Sequence, residues 1–378
     1  MDTHRAWRGL LVVLAVSGLV VWPLWRGARA DARPHPLTPE EQGVREAVRA
    51  LWQQEDTAAV SGDGKALSAV FDLESASGRA SLRHAQARAA FVQAWAKARG
   101  VRWTTPQVSV RTPRIRFDAG STPTTVTVTA IVSERWSYAY DGQTATQAFG
   151  LGREHWMTLI RTAAGWRIAQ DWFTDPLDQD TRIPGPAVPS AGTWRGLPAR
   201  SPRVTAVFGR RGYSRAGAVG YADHYCGAAP GCGNDGRYNP RFRDYNGDGG
   251  DCTNFVSQAL ALGGKLRQSS VWTFDPRTGE GTEAWVQASA LLDQLLATGR
   301  ARVIARGTYA QVVSALPELQ PGDIIGYMEK GEVQHLALVV GTDPRGYTLV
   351  DSHTADRHHV PWDIGWDRRT IFVLVHMR

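Results

Sequence analysis

Cysteine is scarce in this chain, with three in 378 residues. No His or Cys pair at zinc spacing accompanies Cys226 and Cys232, so the sequence assigns no metal to them. Internal repeats are absent, which excludes a solenoid or a propeller array. Charge is mild: the formal +7 falls to +4 once residues 1–30, with four Arg and one Asp, are set aside. That balance is poor support for a nucleic-acid partner and would instead assist contact with an anionic wall or membrane. The apolar run from Gly9 to Trp25 is 17 residues long and contains Pro23, which makes it marginal for spanning a bilayer.

Arg5 and Arg8 precede that run, and Ala28-Arg-Ala30 and Ala30-Asp-Ala32 offer small-residue cleavage sites after it. Residues 1–32 therefore read as an export signal, with an uncleaved anchor through residues 9–25 as the rival. Both readings put the remainder outside the cytoplasm. With 43% hydrophobic and 21% charged residues, that remainder has the composition of a folded protein, and its length suits two domains. Fifteen tryptophans supply large anchors, most of them expected in cores.

The expected architecture is α+β throughout. In residues 37–175, Val44, Val48, Leu51 and Trp52 recur at helical spacing, and a second helix is expected over about Ser81–Arg99. Strands follow over Thr124–Arg135, Gln147–Leu159 and Trp166–Trp172, with a turn at Gly165-Trp166. Helices followed by an antiparallel meander suggest a small roll, which resembles the cystatin-like or nuclear-transport-factor-like folds. No catalytic constellation is evident in it. Residues 176–203 carry Pro176, Pro184, Pro186, Pro189, Pro198 and Pro202 and read as a semi-rigid linker.

Residues 204–378 are expected to place helices over about Arg211–Tyr225, Cys252–Leu262 and Glu283–Thr298 ahead of an antiparallel sheet. Its strands are Asp323–Met328, Gln334–Gly341, Tyr347–Ser352 and Thr370–His376. Cys226 and Cys232 flank the turn-rich Gly227–Gly231 and can close a small disulfide loop, which leaves Cys252 as the odd cysteine. In Gly249-Gly-Asp-Cys-Thr-Asn-Phe-Val-Ser-Gln258, Asp251 is a favoured N-cap and Cys252 falls in the first helical turn, where a thiolate is favoured. Phe255, Val256, Ala259 and Leu260 form the apolar stripe of that helix.

A base must come from elsewhere. His335 heads a strand and offers a Cys–His pair, while Asp351 and His353 alternate onto one face of the next strand as candidates to orient the imidazole. Asn254 is open to an oxyanion role or to bracing the first turn. Asp323 reads as a turn residue after Pro321-Gly322, and His358-His359 as a solvated pair in a loop. Asp244, Asn246 and Asp248 place oxygens at alternate positions, as a calcium loop would. The twelfth position is Phe255 and not Glu, so calcium is the weaker reading beside an Asx-rich turn. No other cofactor is implied.

Asp251-Cys-Thr-Asn-Phe-Val-Ser-Gln258, Gly263-Gly264, Trp285-Val286, the Gly-Asp-Ile turn at 322–324, His335 and His353-Thr354 together resemble the amidase domain of secreted bacterial proteins. That family is similar to the NlpC-type cell-wall cysteine peptidases and the cysteine-histidine-dependent amidohydrolases. The resemblance covers roughly Arg211 to Val360 and implies a papain-like fold, Cys252 as nucleophile and His335 as base. It makes His353, at the His-Thr position, the preferred third member ahead of Asp351. It also implies a peptidoglycan or other peptide substrate, with a non-catalytic wall- or peptide-binding module as the alternative.

Overall fold

The computed structural model describes residues 36–118, 124–173, 212–366 and 370–378. The leader, its anchor alternative and the proline-rich linker fall outside these residues.

Helix α1 (Pro39–Ser61) opens with proline at its first position, where the missing N–H costs nothing, and buries Val44, Val48, Leu51 and Trp52. After the short α2 (Gly64–Ser68), α3 spans Ala76–Arg99. It starts five residues earlier than the spacing suggests because Ser75 caps it, accepting from the N–H of Gly78. Strands β1 (Val101–Trp103), β2 (Gln107–Phe117), β3 (Thr125–Tyr140), β4 (Thr146–Thr162) and β5 (Gly165–Phe173) follow. On β3 the alternating Val126, Val128, Ala130 and Val132 are fully buried beneath the helices. Each valine contributes roughly 1.5–3 kcal/mol by leaving water. β2 escaped the sequence reading because Arg111, Arg114 and Arg116 interrupt its alternation.

The C-terminal half begins with α4 (Arg215–Tyr225), then α5 (Cys252–Gln258), which continues into a wide turn over Ala259–Gly263. The short pair β6 (Phe274–Asp275) and β7 (Glu280–Gly281) precedes α6 (Glu283–Val286) and α7 (Ala288–Ala297). The single helix expected over 283–298 is thus two, because Gln287 adopts an extended conformation between them. Next come β8 (Ala301–Gly307), α8 (Tyr309–Val312), β9 (Ile324–Glu329), β10 (Glu332–Thr342), β11 (Thr348–Ser352), β12 (Asp356–Pro361) and β13 (Ile371–Met377). The α+β expectation holds: helices precede an antiparallel sheet in both halves.

The halves share one sheet. Its order is β1-β3-β4-β12-β11-β10-β9-β13-β8, with β2 also on β3 and β5 also on β4. The join is β12 against β4, pairing Asp356 with Gly152 and His358 with Gly150. Aromatics from both halves pack into one core, including Trp95, Tyr138, Phe149, Trp362 and Trp366. The Trp95 indole donates to Asp363 at 3.2 Å, Arg99 pairs with the same carboxylate, and the Tyr138 hydroxyl donates to Asp343 at 2.9 Å. The Cys226–Cys232 disulfide is formed, and its loop lies on β4. A Cβ at Gly150 would sit 2.2 Å from the Pro230 carbonyl oxygen, and one at Gly152 would sit 2.6 Å from Ala228. Glycine is required there by close approach.

Candidate active site

Helix α5 packs on one face of the sheet. Phe255 and Val256 lie in a core with Leu336 and Leu338 of β10, and Cys252 is its first, buried residue. Gly249 and Gly250, with φ of 110° and 124°, turn the chain into it. The Asp251 N–H then donates to Thr354 Oγ1 at 2.6 Å.

Asp251 does not cap the helix with its side chain. Its Oδ1 accepts from the Tyr245 N–H and from the Asn254 amide, both at 2.9 Å, and its Oδ2 lies 2.6 Å from His353 Nδ1. The cap expectation is therefore corrected: a buried imidazole with a matching donor outcompetes the helix N–H groups. His353 Nε2 lies 2.7 Å from the Tyr225 carbonyl oxygen, and the ring is stacked between Tyr238 at 3.7 Å and Phe255 at 4.2 Å. Burial disfavours charge on this ring, but Asp251, Asp356 and the Tyr225 carbonyl together hold its pKa above the ordinary value. Both nitrogens face acceptors, so both carry protons and His353 is an imidazolium.

Asn254 takes the bracing role. Its amide donates to Asp251 and to the Arg243 carbonyl at 3.0 Å, and its oxygen accepts from the Trp285 indole at 2.8 Å.

His335 stands elsewhere. Its ring is 5.6 Å from Tyr327 and 5.5 Å from Trp366, in the core that holds Ala337 and Val339, on the sheet face opposite α5. Burial and the nearby Arg357 push its pKa well down, and its Nε2 is buried with no hydrogen-bond partner. Cys252 Sγ instead contacts Thr253 Oγ1 at 3.7 Å. Burial pushes the thiol pKa up, against the Leu336 N–H and Thr253, which pull it down. The expected thiolate is thus corrected in this arrangement, because desolvation outweighs the first helical turn. The structure brings Cys252, Asp251, Asn254 and His353 to one turn, and it leaves His335 hydrogen-bonded to none of them.

Asp351 does not orient an imidazole at that turn. It is fully buried, its Oδ1 accepts from the His359 N–H at 2.7 Å, and burial beside Asp223 pushes its pKa up to about 8. His358 and His359 lie on β12, not in a loop, with His359 Nε2 2.9 Å from Asp223 Oδ1. Asp323 is likewise more than a turn residue: buried, it accepts from Arg215 at 2.6 Å and from the Met377 N–H at 2.9 Å, tying α4 to β13.

In the Asx-rich turn, Asp248 pairs with Arg243, the Asn246 amide donates to the Tyr238 hydroxyl at 2.9 Å, and the Asn246 oxygen accepts from Thr354 Oγ1 at 3.2 Å.

Residues 212–376 match the family described as "Putative amidase domain". This segment belongs to that family. The amidase domain points to amide hydrolysis as the general activity. YhbB of Bacillus subtilis, described as an uncharacterized protein, is 29% identical over 167 residues, or 41% of this chain and 46% of the relative. The chain thus spans under half the length of that relative. The likenesses to solved structures are remote. The intermembrane-space region of the chloroplast protein ARC6 aligns at 14% identity over 37% of this chain and 98% of its own, with a TM-score of 0.26. A cystatin-like domain of unknown function from Nostoc punctiforme aligns at 19% identity over 39% and 83%, with a TM-score of 0.22. Scores of that size carry neither fold nor function.

The sequence reading missed a buried ionic cluster beneath α1, between that helix, α3 and the sheet. Arg88 lies 3.6 Å from Glu55, 3.6 Å from Asp56 and 3.1 Å from Glu134, and Arg153 pairs with Glu134. Burial raises Glu55 to about 7 and Asp56 well above its ordinary value. A signal was present: Glu55 and Asp56 follow Leu51 and Trp52 by one turn, on the apolar face of α1.

Proposed function

We propose that the amidase domain is a cysteine amidohydrolase acting outside the cytoplasm on cell-wall peptides. The observation that carries this reading is the placement of Cys252, the one cysteine outside the disulfide, as the first residue of a helix whose preceding turn is locked by the Asp251–His353 pair. The disulfide supports an oxidising compartment. In the reaction, His335 accepts the Cys252 proton and the thiolate attacks the amide carbonyl. The developing oxyanion is held by backbone N–H groups of that turn. The amine departs with the proton from the imidazolium, and water hydrolyses the thioester. A neutral imidazole with an unpartnered nitrogen, as His335 has, is the state a base requires. The reading also requires that ring to reach the thiol's face. The register irregularity between Val333 and His335 is where β10 would re-aim it.

A second reading, a non-catalytic wall- or peptide-binding module on the same fold, is favoured by the buried, protonated thiol and by the position of His335 on the opposite face. Labelling with a thiolate-directed probe across pH, read by mass spectrometry, separates the two. Rapid labelling of Cys252 below pH ~7, well under the ordinary thiol range, and its loss in His335→Ala support the enzyme. Labelling confined to alkaline pH, with no release of amines from isolated cell walls, overturns it in favour of the module.

A further inference from the structure

We propose that Asp223, Asp351, His358 and His359 form a binding site for a divalent transition-metal cation of zinc type. One ligand atom from each of the four lies within 4.8 Å of all the others. The site is independent of the proposed hydrolysis, since none of the four meets Cys252 or His335.

The chemistry of the donors is specific. His359 Nε2 is 2.9 Å and His358 Nε2 is 3.9 Å from the same oxygen of Asp223. Consecutive residues of a strand normally point to opposite faces. Here His359 has a φ of 53°, which breaks the alternation, and the two imidazoles stack at 4.1 Å and 18° on one side. At the floor of the cluster, Asp351 is fully buried, and its carboxyl meets that of Asp223. Two carboxyl groups in contact, one of them fully buried, are costly when both are charged and call for a cation or a shared proton.

Two imidazoles and two carboxylates match the nitrogen and oxygen ligands that zinc takes tetrahedrally, about 2.0–2.2 Å from the metal. The nitrogens argue against calcium and magnesium, which take oxygen ligands. Asp223 and His359 are about a third exposed, and Asp351 is fully buried. The cation would join the last turn of α4 to β11 and β12. Its neighbour on α4, Tyr225, supplies the carbonyl that His353 meets.

The test is titration of the full-length, chelator-stripped protein with Zn²⁺ by calorimetry, and with Co²⁺ by absorption. The expected result is one saturable equivalent, with an affinity more than about a hundredfold weaker in His358→Ala and His359→Ala, beyond the roughly 10–100-fold loss of an outer-shell partner. Binding must survive in Cys252→Ser, because the thiol is the competing zinc ligand. Should the histidine variants not fold, the Co²⁺ spectrum of the wild type decides: d–d bands without a thiolate charge-transfer band support the site. Absence of saturable binding, equal affinity in the folded histidine variants, or a thiolate band lost with Cys252 overturns it.

Discussion

Asp251 Oδ2 and His353 Nδ1 lie 2.6 Å apart, both fully buried, and the other nitrogen of His353 faces the Tyr225 carbonyl. This pair couples the turn before Cys252 to the end of β11 and to the last turn of α4.

Asp251→Asn should therefore destabilise the fold by roughly 3 kcal/mol, since it strands a buried charge. Urea unfolding of the variant at neutral pH measures the loss. A change under half a kcal/mol would remove the pair from the fold's supports.

The His353 pKa lies above the 6.5 of an ordinary histidine. A group whose folded pKa is raised contributes stability that is complete below about pH 6.5 and fades as pH rises through the folded value. The stability difference between the wild type and His353→Gln should then shrink from pH 6 towards alkaline pH. A difference that grows with pH would contradict the imidazolium.

Glu55 gives the same downward slope for a different reason. Burial raises this carboxyl from 4.5 to about 7, so between those values the folded state holds a proton that the unfolded state has released. Stability falls as pH rises through that window. Glu55→Gln should flatten the decline, which denaturant midpoints at pH 5 and pH 8 will reveal.

The disulfide loop and the β4 glycines should behave as one element. Cys226→Ser is expected to cost roughly 2 kcal/mol by freeing the small loop, and Gly150→Ala about 1–3 kcal/mol by overpacking against Pro230. Because the two share a contact, the double variant should lose less than the sum. Strict additivity in thermal or urea unfolding would separate them.

Local patterns were legible in the sequence, and distant partnerships were not. The alternation of Val126 to Val132 and the helical start at Cys252 follow from neighbouring residues alone. The partner of Asp251 lies 102 residues away, so a good capping residue looked like a cap. His335 was expected beside Cys252 because it heads a strand, but the face of that strand is set by its register, which shifts between Val333 and His335. β12 reads as polar loop in Asp356-Arg-His-His359. It is a strand because β4, some two hundred residues earlier, pairs with it. The two odd histidines and Asp351 likewise acquire a common neighbourhood only through Asp223 on α4.

The β4–β12 join also bears on how this protein can be cut. The family match, beginning at residue 212, invites a truncated version without the N-terminal half. Such a fragment would bare the β12 backbone that Gly150, Leu151 and Gly152 now satisfy, and would unroof Trp362 and Trp366 beside it. An unprotected strand rim of that kind recruits other chains. A truncation at that natural-looking boundary would thus aggregate for lack of a shield, and its inactivity would say nothing about the chemistry of Cys252.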